Sequence, residues 1–474
     1  MYYRIKEPWA FCGWKKTPHT IQAVWGPHKH DRPFFLDKSI FLELLYCNGE
    51  EDVDINDFSP ETQKAISEFL ANDMMESSSD KMKALEPWQR YHVYPSRYVE
   101  SVHWSITGKC NFNCRHCLVS APDAHHPQLP IEDCLHIIDQ IAVCGIKRVD
   151  ITGGEPLVRN DFEQIVKALS ERNIDIGIIF TNASLLTEDI INLLIKYKQH
   201  PAMQLSFDGL GQHDWLRGVP GAEEQADKAF RLLKKHNVPV ATAMCIHKGN
   251  KDTLRDTIKY LASLNVKSLR VNAPQELGVW KQYAEQYALS EEEVWEVYRN
   301  NIEWFFEDGM PLDLELDGYF RCTKGSTDYK ISWVHHPEEN ADWHDIPQCE
   351  SMKHLIYIGA DGKLAPCMAF ADSAMKDQFP SVLEAPLGML TLSGTYYDVV
   401  NLRVSDFLEA NEECRNCEHL RVCCGGCMAE GMSKTGRCLA KDERCCNFHK
   451  NIGEKAVREV ADKAIEKFGL KKES

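Results

Sequence analysis

Three cysteines lie close together in the segment CNFNCRHC, as Cys110, Cys114 and Cys117. Three thiolates from one loop can bind three irons of a [4Fe–4S] cluster and leave the fourth iron without a protein ligand. A zinc site is the alternative, but zinc takes four ligands, and only His116 or a distant residue remains to complete the set. The spacing therefore favours a cluster with an open iron, where a small molecule can bind.

A second candidate for chemistry is the segment TGGEP, residues 152–156. Two glycines allow a backbone to approach a ligand closely, and Glu155 or strand-end carbonyls can accept hydrogen bonds from an ammonium group. A tight turn between a strand and a helix explains the same residues when the segment is taken alone.

Both segments follow predicted strands in a region where strands and helices alternate six times, residues 102–274. The six strands are VHWSIT, VDITG, IDIGIIFTN, MQLSFDG, VATAMCIHK and SLRVNAP. Most lack clean alternation, which is typical of parallel strands covered on both faces. The pattern predicts an α/β fold, either a partial (β/α)6 barrel or an open doubly wound sheet. In both folds ligands bind at the carboxyl ends of the strands, where the cysteine loop begins.

The spacing CxxxCxφC of the three cysteines, directly after a first strand, resembles the radical S-adenosylmethionine (SAM) superfamily over residues 98–450. The φ position is usually aromatic and is His116 here. The resemblance implies a partial (β/α)6 TIM-like barrel in which SAM chelates the open iron. It also implies SAM contacts from the TGGEP turn and later strand ends, although the later four also suit turn caps and surface pairs: Gly153, Gly154, Glu155, Pro156, Asn182, Ser206, Asp208 and Arg217.

Cysteines are also dense between residues 349 and 446. Seven of them resemble the SPASM extension of radical SAM enzymes, which implies two auxiliary clusters and three [4Fe–4S] clusters in all. The first auxiliary set is Cys349, Cys367 and Cys427, with Cys322, an open iron or a substrate thiolate as the fourth ligand; the second is Cys414, Cys417, Cys423 and Cys445. Cys446 competes with Cys445. Cys134 and Cys245 are predicted to pack in the core, and Cys424 to be a spare thiol or a hydrogen-atom donor.

The pattern of the N-terminal residues predicts strands followed by two helices, one of them capped by Ser59. It also predicts a linker at the polar run ESSSDK, residues 76–81. This order resembles the winged-helix-like leader-recognition element of ribosomal-peptide maturases, in which an exposed strand pairs with a leader peptide. A structural cap is the alternative. The predicted domains are a winged-helix-like leader domain (1–90), the barrel (98–275), a bridging region (276–348), the SPASM domain (349–450) and a C-terminal helix (451–474).

The formal net charge of −17 argues against nucleic acid as a partner, and no apolar run suggests a membrane span or a signal peptide. We therefore predict a cytoplasmic protein. The resemblance implies an enzyme that modifies a precursor peptide and receives electrons from a carrier such as flavodoxin or ferredoxin. Thioether cross-linking is the first interpretation, with carbon–carbon cross-linking, epimerisation or formylglycine generation as alternatives, and a non-catalytic metal-binding scaffold outside the class. The catalytic acid or base is unknown from the sequence.

Overall fold

The computed structural model of the chain describes residues 1–16, 19–26, 32–118, 127–275, 278–335 and 341–471. Its main feature is a sheet of eleven strands, flanked by helices and followed by a region of short helices. A smaller sheet of four strands lies in the N-terminal part. No helix in the described ranges has the length and apolar character that crossing a membrane requires.

The N-terminal unit has its own apolar core, which includes Phe11, Phe41 and Ile66. Ser59 caps its second helix as predicted, because its side chain accepts from the backbone N–H of Thr62. The four-stranded sheet has the order β4-β3-β2-β6, and β1 pairs separately with β5. The elements are β1 (Tyr2–Ile5), β2 (Ala10–Lys16), β3 (His19–Trp25), β4 (Phe34–Leu36), α1 (Lys38–Leu44), α2 (Pro60–Ala71), β5 (Met75–Ser78) and β6 (His92–Tyr94).

The linker predicted at residues 76–81 is wrong for its first half, because residues 76–78 belong to β5. That strand pairs antiparallel with β1, and Arg4 bridges to Glu76 across the pair at 3.0 Å. The composition ESSSDK is typical of a linker, but the backbone partner offered by β1 outweighs the low strand propensity of serine and glutamate.

The six predicted strands of the barrel are all present and all parallel. The elements are β7 (Ser101–Ser105), α3 (Ile131–Val143), β8 (Arg148–Thr152), α4 (Phe162–Glu171), β9 (Asp175–Thr181), α5 (Glu188–Lys196), β10 (Ala202–Ser206), α6 (His213–Arg217), α7 (Ala222–Lys235), β11 (Val240–Cys245), α8 (Leu254–Ser263) and β12 (Ser268–Asn272). These parallel strands and the helices between them form the predicted partial barrel.

The sheet extends beyond these six strands on both sides, which the sequence did not indicate. Strand β13 continues it in parallel after β12, and β16 pairs in parallel with β7. Ser290 and Glu293 form a capping box at the start of the helix Glu291–Glu307. The elements are α9 (Ala284–Tyr287), α10 (Glu291–Glu307), β13 (Asp313–Leu316), β14 (Phe320–Cys322), β15 (Tyr329–Lys330), α11 (Ser351–His354), β16 (Leu355–Ile358), β17 (Leu364–Ala365), α12 (Met368–Ala371), α13 (Leu387–Leu390), α14 (Gly394–Val400), α15 (Val404–Ala410), α16 (Leu420–Cys423), α17 (Met428–Thr435), α18 (Glu443–Asn447) and α19 (Gly453–Lys467).

The two faces of the barrel sheet differ in polarity. Val102 and Trp104 of β7 are fully buried in the main apolar core. His103, between them, lines an internal cavity, as do Gln204 of β10 and Arg270 of β12. The expectation that both faces are covered by apolar packing is therefore wrong for the inner face, where alternate residues point towards a ligand-sized space.

Candidate functional site

The cysteine loop lies over the carboxyl ends of β7 and β8, and backbone hydrogen bonds hold it there. The amide of Gly154 donates to the carbonyl of Thr107 at 2.8 Å, and the amide of Glu155 donates to the carbonyl of Lys109 at 2.9 Å. Phe112, inside the loop, is buried. The loop is thus fixed by the TGGEP turn beside it, and Cys110, Cys114 and Cys117 all line one cavity.

This cavity has a volume of about 580 Å³ and lies at the carboxyl ends of the barrel strands. Five further residues predicted to contact SAM line it together with the three cysteines: Gly153, Gly154, Asn182, Ser206 and Arg217. Its size falls in the usual range for small-molecule sites. The structure therefore brings the three thiols and most of the predicted SAM contacts into one space.

The charges around the thiols suit an anionic group. Burial raises the pKa of Cys110 to about 12. Burial also raises the pKa of Cys114, while the adjacent Arg217 guanidinium lowers it. The Nη1 atom of Arg217 lies 3.8 Å from the sulfur of Cys114, and the Nδ2 atom of Asn182 lies 4.0 Å from that of Cys110. Bound iron displaces the thiol protons, and these donors would then stabilise the thiolates.

The spacing of the cysteine sulfurs favours a cluster over a single zinc ion. Two sulfurs bound to one zinc ion cannot lie more than about 4.6 Å apart, twice the Zn–S bond length. Within the described ranges, the one group of three histidine, cysteine or acidic ligand atoms all within 4.8 Å of one another is His116, Asp208 and Cys245. The three loop sulfurs do not form such a group, which is unfavourable for a single zinc ion, and three cysteines on one loop suit a [4Fe–4S] cluster with an open iron.

The glycines of the TGGEP turn are required by the close approach of the cysteine loop. A Cβ atom on Gly154 would lie 2.4 Å from the carbonyl oxygen of Lys109, and one on Gly153 would lie 2.5 Å from that of Thr107. Both obstacles are backbone atoms, which cannot rotate away. The two glycines therefore let the turn and the loop pack together, in addition to lining the cavity.

Glu155 has a different position from the predicted one. Its side chain is fully buried, does not line the cavity, and accepts hydrogen bonds from the backbone N–H of Asn182 at 2.7 Å and of Leu157 at 3.1 Å. The hydroxyl of Thr181 donates to it at 2.8 Å. Burial raises the pKa of Glu155 to about 7, while the three donors oppose that rise. The carboxylate positions Asn182 and the turn, and Pro156 begins the short 3-10 turn that follows.

The difference in unfolding free energy between the wild type and a Glu155→Gln variant is expected to depend on pH. Burial raises the pKa of Glu155 in the folded protein to about 7, so the wild type loses stability relative to the variant as the pH rises from about 4.5 to about 7. Urea unfolding at a series of pH values between about 5 and about 8 measures the difference. Glu466→Gln, at an exposed position of α19, is the matched control and should differ from the wild type equally at each pH. A Glu155→Gln difference that is equally constant with pH would contradict this environment of Glu155.

Asp208 also lies behind the cavity wall and does not line it. It is fully buried, and its carboxylate pairs with Arg217 at 2.7 Å and with His213 at 3.2 Å. Burial alone would raise the pKa of Asp208, but the Arg217 guanidinium reverses that effect and holds it well below the usual value. Asp208 thus orients Arg217 from behind the cavity wall, and it does not have the cavity-lining position expected of a residue that contacts SAM directly.

Several cavity residues were not predicted from the sequence. Cys245, predicted to pack in the core, lies at the end of β11 and lines the cavity. His103, Arg270, Asp317 and Arg444 line it as well. In the sheet register Ser206 pairs with Ala243, which shares a face with Cys245 and pairs with Arg270, and this register is not visible in the sequence. Nothing in the sequence indicated Arg444, because it comes from the distant C-terminal region.

His116, at the φ position, lines this cavity. Its Nδ1 atom is buried, and no hydrogen-bond partner for it exists among the residues that the structure describes. Burial lowers the pKa of His116 to about 3, so the ring is neutral.

The first auxiliary set also converges. Cys367 interacts electrostatically with both Cys349 and Cys427. Cys367 and Cys427 are the N-caps of α12 and α17, and Cys349 lies two residues before α11. Backbone N–H groups at these helix starts lower the pKa of each thiol against the larger effect of burial. Three helical N-termini thus direct partial positive charge at one point, which stabilises thiolates.

Cys322 is placed in a different environment from these three. It is buried in β14, and its thiol donates to the carbonyl of Ser326 at 3.2 Å. Strand β14 lies next to one edge of the main sheet, whereas β17, which precedes Cys367, forms the other edge. The structure therefore does not favour Cys322 as the fourth ligand of the first auxiliary cluster.

The second auxiliary set lines a separate small cavity. Cys414, Cys417, Cys423 and Cys445 all contribute to it, and so does Cys446. Both Cys445 and Cys446 line this cavity, so both remain candidates for the fourth ligand of the second auxiliary set. Cys424 lines neither cavity; it ends α16 with a left-handed backbone, and its thiol donates to the carbonyl of Arg421. This position suits the spare thiol of the two alternatives.

Residues 104–261 match the model of the Radical SAM superfamily. The AdoMet-dependent heme synthase of Methanosarcina barkeri is 24% identical over 73% of this chain and 95% of its own length. The PqqA peptide cyclase of Granulibacter bethesdensis is 26% identical over 72% of this chain and 85% of its own. The structure of Streptococcus suis SuiB bound to its precursor peptide SuiA is similar with a TM-score of 0.66 and 16% identity, over 94% of this chain and 99% of SuiB.

Proposed function

Because residues 104–261 form a radical SAM domain, we propose that this chain is an enzyme that cleaves SAM reductively and modifies a ribosomally made precursor peptide. The observation that carries the proposal is the convergence of Cys110, Cys114 and Cys117 with the TGGEP turn, Ser206 and Arg217 in one cavity. Three thiolates on one loop would leave the fourth iron of a [4Fe–4S] cluster free to bind SAM. The neighbouring hydrogen-bond donors suit the carboxylate of the methionine part of SAM.

With SAM and a reduced cluster bound, the site supplies a 5′-deoxyadenosyl radical that abstracts a hydrogen atom from the substrate. The residues of the chain position the reactants. Arg217, fixed by Asp208, would pair with the SAM carboxylate, and the hydroxyl of Ser206 and the amide of Asn182 would accept or donate beside it.

A peptide substrate is supported by the relatives and by the N-terminal unit. PqqA peptide cyclase and the sporulation killing factor maturation protein SkfB of Bacillus subtilis are both named for peptide substrates. The structural similarity to SuiB covers 94% of this chain, so it includes most of residues 1–90. We propose that this unit binds the leader of the precursor by strand addition. Strand β4 forms an edge of its sheet and carries the half-exposed Phe34 and Phe35.

The proposed chemistry is thioether formation. Met368 and Ala369, directly after Cys367, line the SAM cavity, so an open iron of the first auxiliary cluster would lie near the substrate. Such a cluster would hold a substrate thiolate and would accept the one electron that is released when the thiolate sulfur bonds to a carbon radical. Carbon–carbon cross-linking, epimerisation and formylglycine generation are the alternatives. The heme synthase relatives raise porphyrin chemistry as a different class.

The proposal is tested with candidate precursor peptides from short open reading frames that neighbour this gene, together with SAM and a reductant, under anaerobic conditions. We expect 5′-deoxyadenosine together with a peptide that has lost two hydrogens per cross-link. An unchanged mass in H₂O, with a gain of one deuterium in D₂O, would indicate epimerisation. An unaltered peptide, with haem formed when a porphyrin precursor is supplied, would refute the peptide proposal.

The two auxiliary clusters give a prediction that does not depend on activity. We propose three clusters, so simultaneous replacement of Cys349, Cys367 and Cys427 by alanine is expected to remove about four irons per chain, one [4Fe–4S] unit, and leave the others. Iron and acid-labile sulfide analysis after anaerobic reconstitution measures this. Cys322→Ala should retain the full iron content, and a loss in that variant would assign Cys322 as a ligand after all.

A further inference from the structure

We propose that His103, held in place by Asp150, is the base that takes the proton lost by the substrate when it is oxidised in the cavity. The inference rests on the proposed function, because that function supplies the substrate radical. It assigns the proton acceptor, which the sequence alone leaves unknown, and it makes Asp150 a positioning residue. It applies to every proposed product in which the peptide loses two hydrogens, whether the new bond joins sulfur to carbon or carbon to carbon.

His103 and Asp150 lie side by side on the neighbouring strands β7 and β8. The two residues are in register, and the Nε2 atom of His103 lies 3.1 Å from the Oδ2 atom of Asp150. Asp150 is buried and does not line the cavity, whereas the His103 side chain lines it and keeps 30% of its surface exposed. A buried carboxylate beside a histidine fixes the ring and stabilises its protonated form. The contact uses Nε2, which leaves Nδ1 for a proton from the substrate.

The carboxylate of Asp150 is itself held in a fixed position. Its Oδ1 atom accepts a hydrogen bond from the Nε atom of Arg148, on the same strand, at 3.1 Å. Strand β9 provides room for this pair, because a Cβ atom on Gly177 would lie 2.3 Å from Nε of Arg148 and 2.4 Å from Oδ1 of Asp150. One oxygen of Asp150 is thus bound by Arg148, and the other contacts the imidazole. Three adjacent strands therefore contribute to the position of His103.

His103 lies on the side of the cavity that approaches the first auxiliary set. It is in register with Tyr357 of β16, which lines the same cavity and interacts electrostatically with Cys367. His103 is also the third residue of β7, so it lies deeper in the barrel than the cysteine loop that follows this strand. A substrate held between the SAM site and the first auxiliary set would therefore lie beside the imidazole.

Two other side chains that line the cavity are candidates for a base. The carboxylate of Asp317 is already paired with the guanidinium of Arg270 at 2.6 Å. His116 belongs to the cysteine loop, between two proposed ligands of the cluster that binds SAM. Among the cavity residues that the structure describes, His103 is thus the base with a carboxylate beside it and a place outside the cluster loop.

The oxidation balances with the groups already proposed. One hydrogen leaves a substrate carbon as an atom and ends in 5′-deoxyadenosine. When a substrate sulfur or a second carbon bonds to the carbon radical, the second hydrogen leaves as one proton and one electron. The electron passes to the oxidised first auxiliary cluster, and the proton passes to His103. Asp150 stabilises the resulting imidazolium until the proton returns to solvent.

The first test compares two products of the reconstituted holoenzyme, supplied with SAM, a reductant and the candidate precursor peptides. The measured quantity is the ratio of peptide that has lost two hydrogens to 5′-deoxyadenosine. In His103→Ala the hydrogen atom is still abstracted, so 5′-deoxyadenosine should form. The ratio should fall at least about tenfold, because a positioned base contributes about 10²- to 10⁴-fold. Added imidazole should restore the ratio, and Asp150→Asn should lower it by a smaller factor.

The second test measures contact with the substrate without turnover. Diethyl pyrocarbonate modifies accessible imidazoles, and mass spectrometry of protein digests gives the extent of modification at each histidine. We expect loss of modification at His103 when the peptide is bound. His200, at an exposed position, should be modified equally with and without the peptide, and the control variant His200→Ala should keep the wild-type product ratio.

Equal iron content shows that each variant is loaded. A wild-type product ratio in His103→Ala, a lowered ratio that imidazole does not restore, or equal modification of His103 with and without the peptide would overturn the inference. A lowered ratio in Asp317→Asn together with a wild-type ratio in His103→Ala would overturn it in favour of Asp317. Absence of 5′-deoxyadenosine from the wild type, or peptides that all keep their hydrogens, would instead refute the proposed function on which the inference rests.

Discussion

Replacement of Cys114 by alanine is expected to abolish the formation of 5′-deoxyadenosine from SAM. Cys114 is the central member of the loop triad, and its sulfur lies 3.8 Å from the Nη1 atom of Arg217. Its loss removes one of three ligands of the proposed cluster and leaves the Arg217 guanidinium without an anionic partner on the cavity side. Product formed from SAM and a reductant, measured by chromatography, should fall to the level without enzyme.

Cys438→Ala is the control for this variant, since it removes a thiol without a proposed ligand role. The Cys114→Ala protein should also lack about four irons relative to the control, the content of one cluster. Retention of both the product and the full iron content in Cys114→Ala would show that the loop triad does not hold the catalytic cluster.

The largest loss of stability is expected for Asp208→Ala. Asp208 and Arg217 form a buried ion pair with an N–O distance of 2.7 Å. Removal of the carboxylate leaves the guanidinium buried without its partner, which costs about 3–5 kcal/mol. Denaturant unfolding of the reconstituted protein measures the change. SAM cleavage should fall too, because Arg217 loses the group that orients it.

Two comparisons separate this effect from a general sensitivity to charge removal. Glu224→Ala breaks an exposed pair between Glu224 and Lys228 and should cost less than about 0.5 kcal/mol. The double variant Asp208→Leu, Arg217→Met removes both charges and should recover much of the stability while SAM cleavage remains lost. A single variant Asp208→Ala as stable as Glu224→Ala would contradict the buried pair.

The strands that position the site were predictable because their signals are local. Each of the six barrel strands is a short apolar run that ends in a turn residue, and the cysteine loop and TGGEP follow the first two directly. Parallel strands place such ends at one edge of a sheet. That rule alone predicts that Gly154, Ser206 and the three thiols lie near one another, and they do line one cavity.

The directions of individual side chains were not predictable in the same way. Glu155 and Asp208 follow strands as the cavity-lining residues do, yet both side chains are buried behind the cavity wall. Backbone amides donate to the Glu155 carboxylate there, and Arg217 pairs with the Asp208 carboxylate. Cys245 resembled a core cysteine because cysteine is common in buried strands, and the sequence does not show which face of β11 its side chain occupies. Contacts from distant segments, such as Arg444 on the cavity wall, depend on the complete fold.

The most direct test of the account is an anaerobic crystal structure of the reconstituted protein with SAM. We expect a [4Fe–4S] cluster bound by Cys110, Cys114 and Cys117, with the amino and carboxylate groups of SAM on the fourth iron and Arg217 beside them. A fourth protein ligand on that iron, or a zinc ion held by the same cysteines, would contradict it.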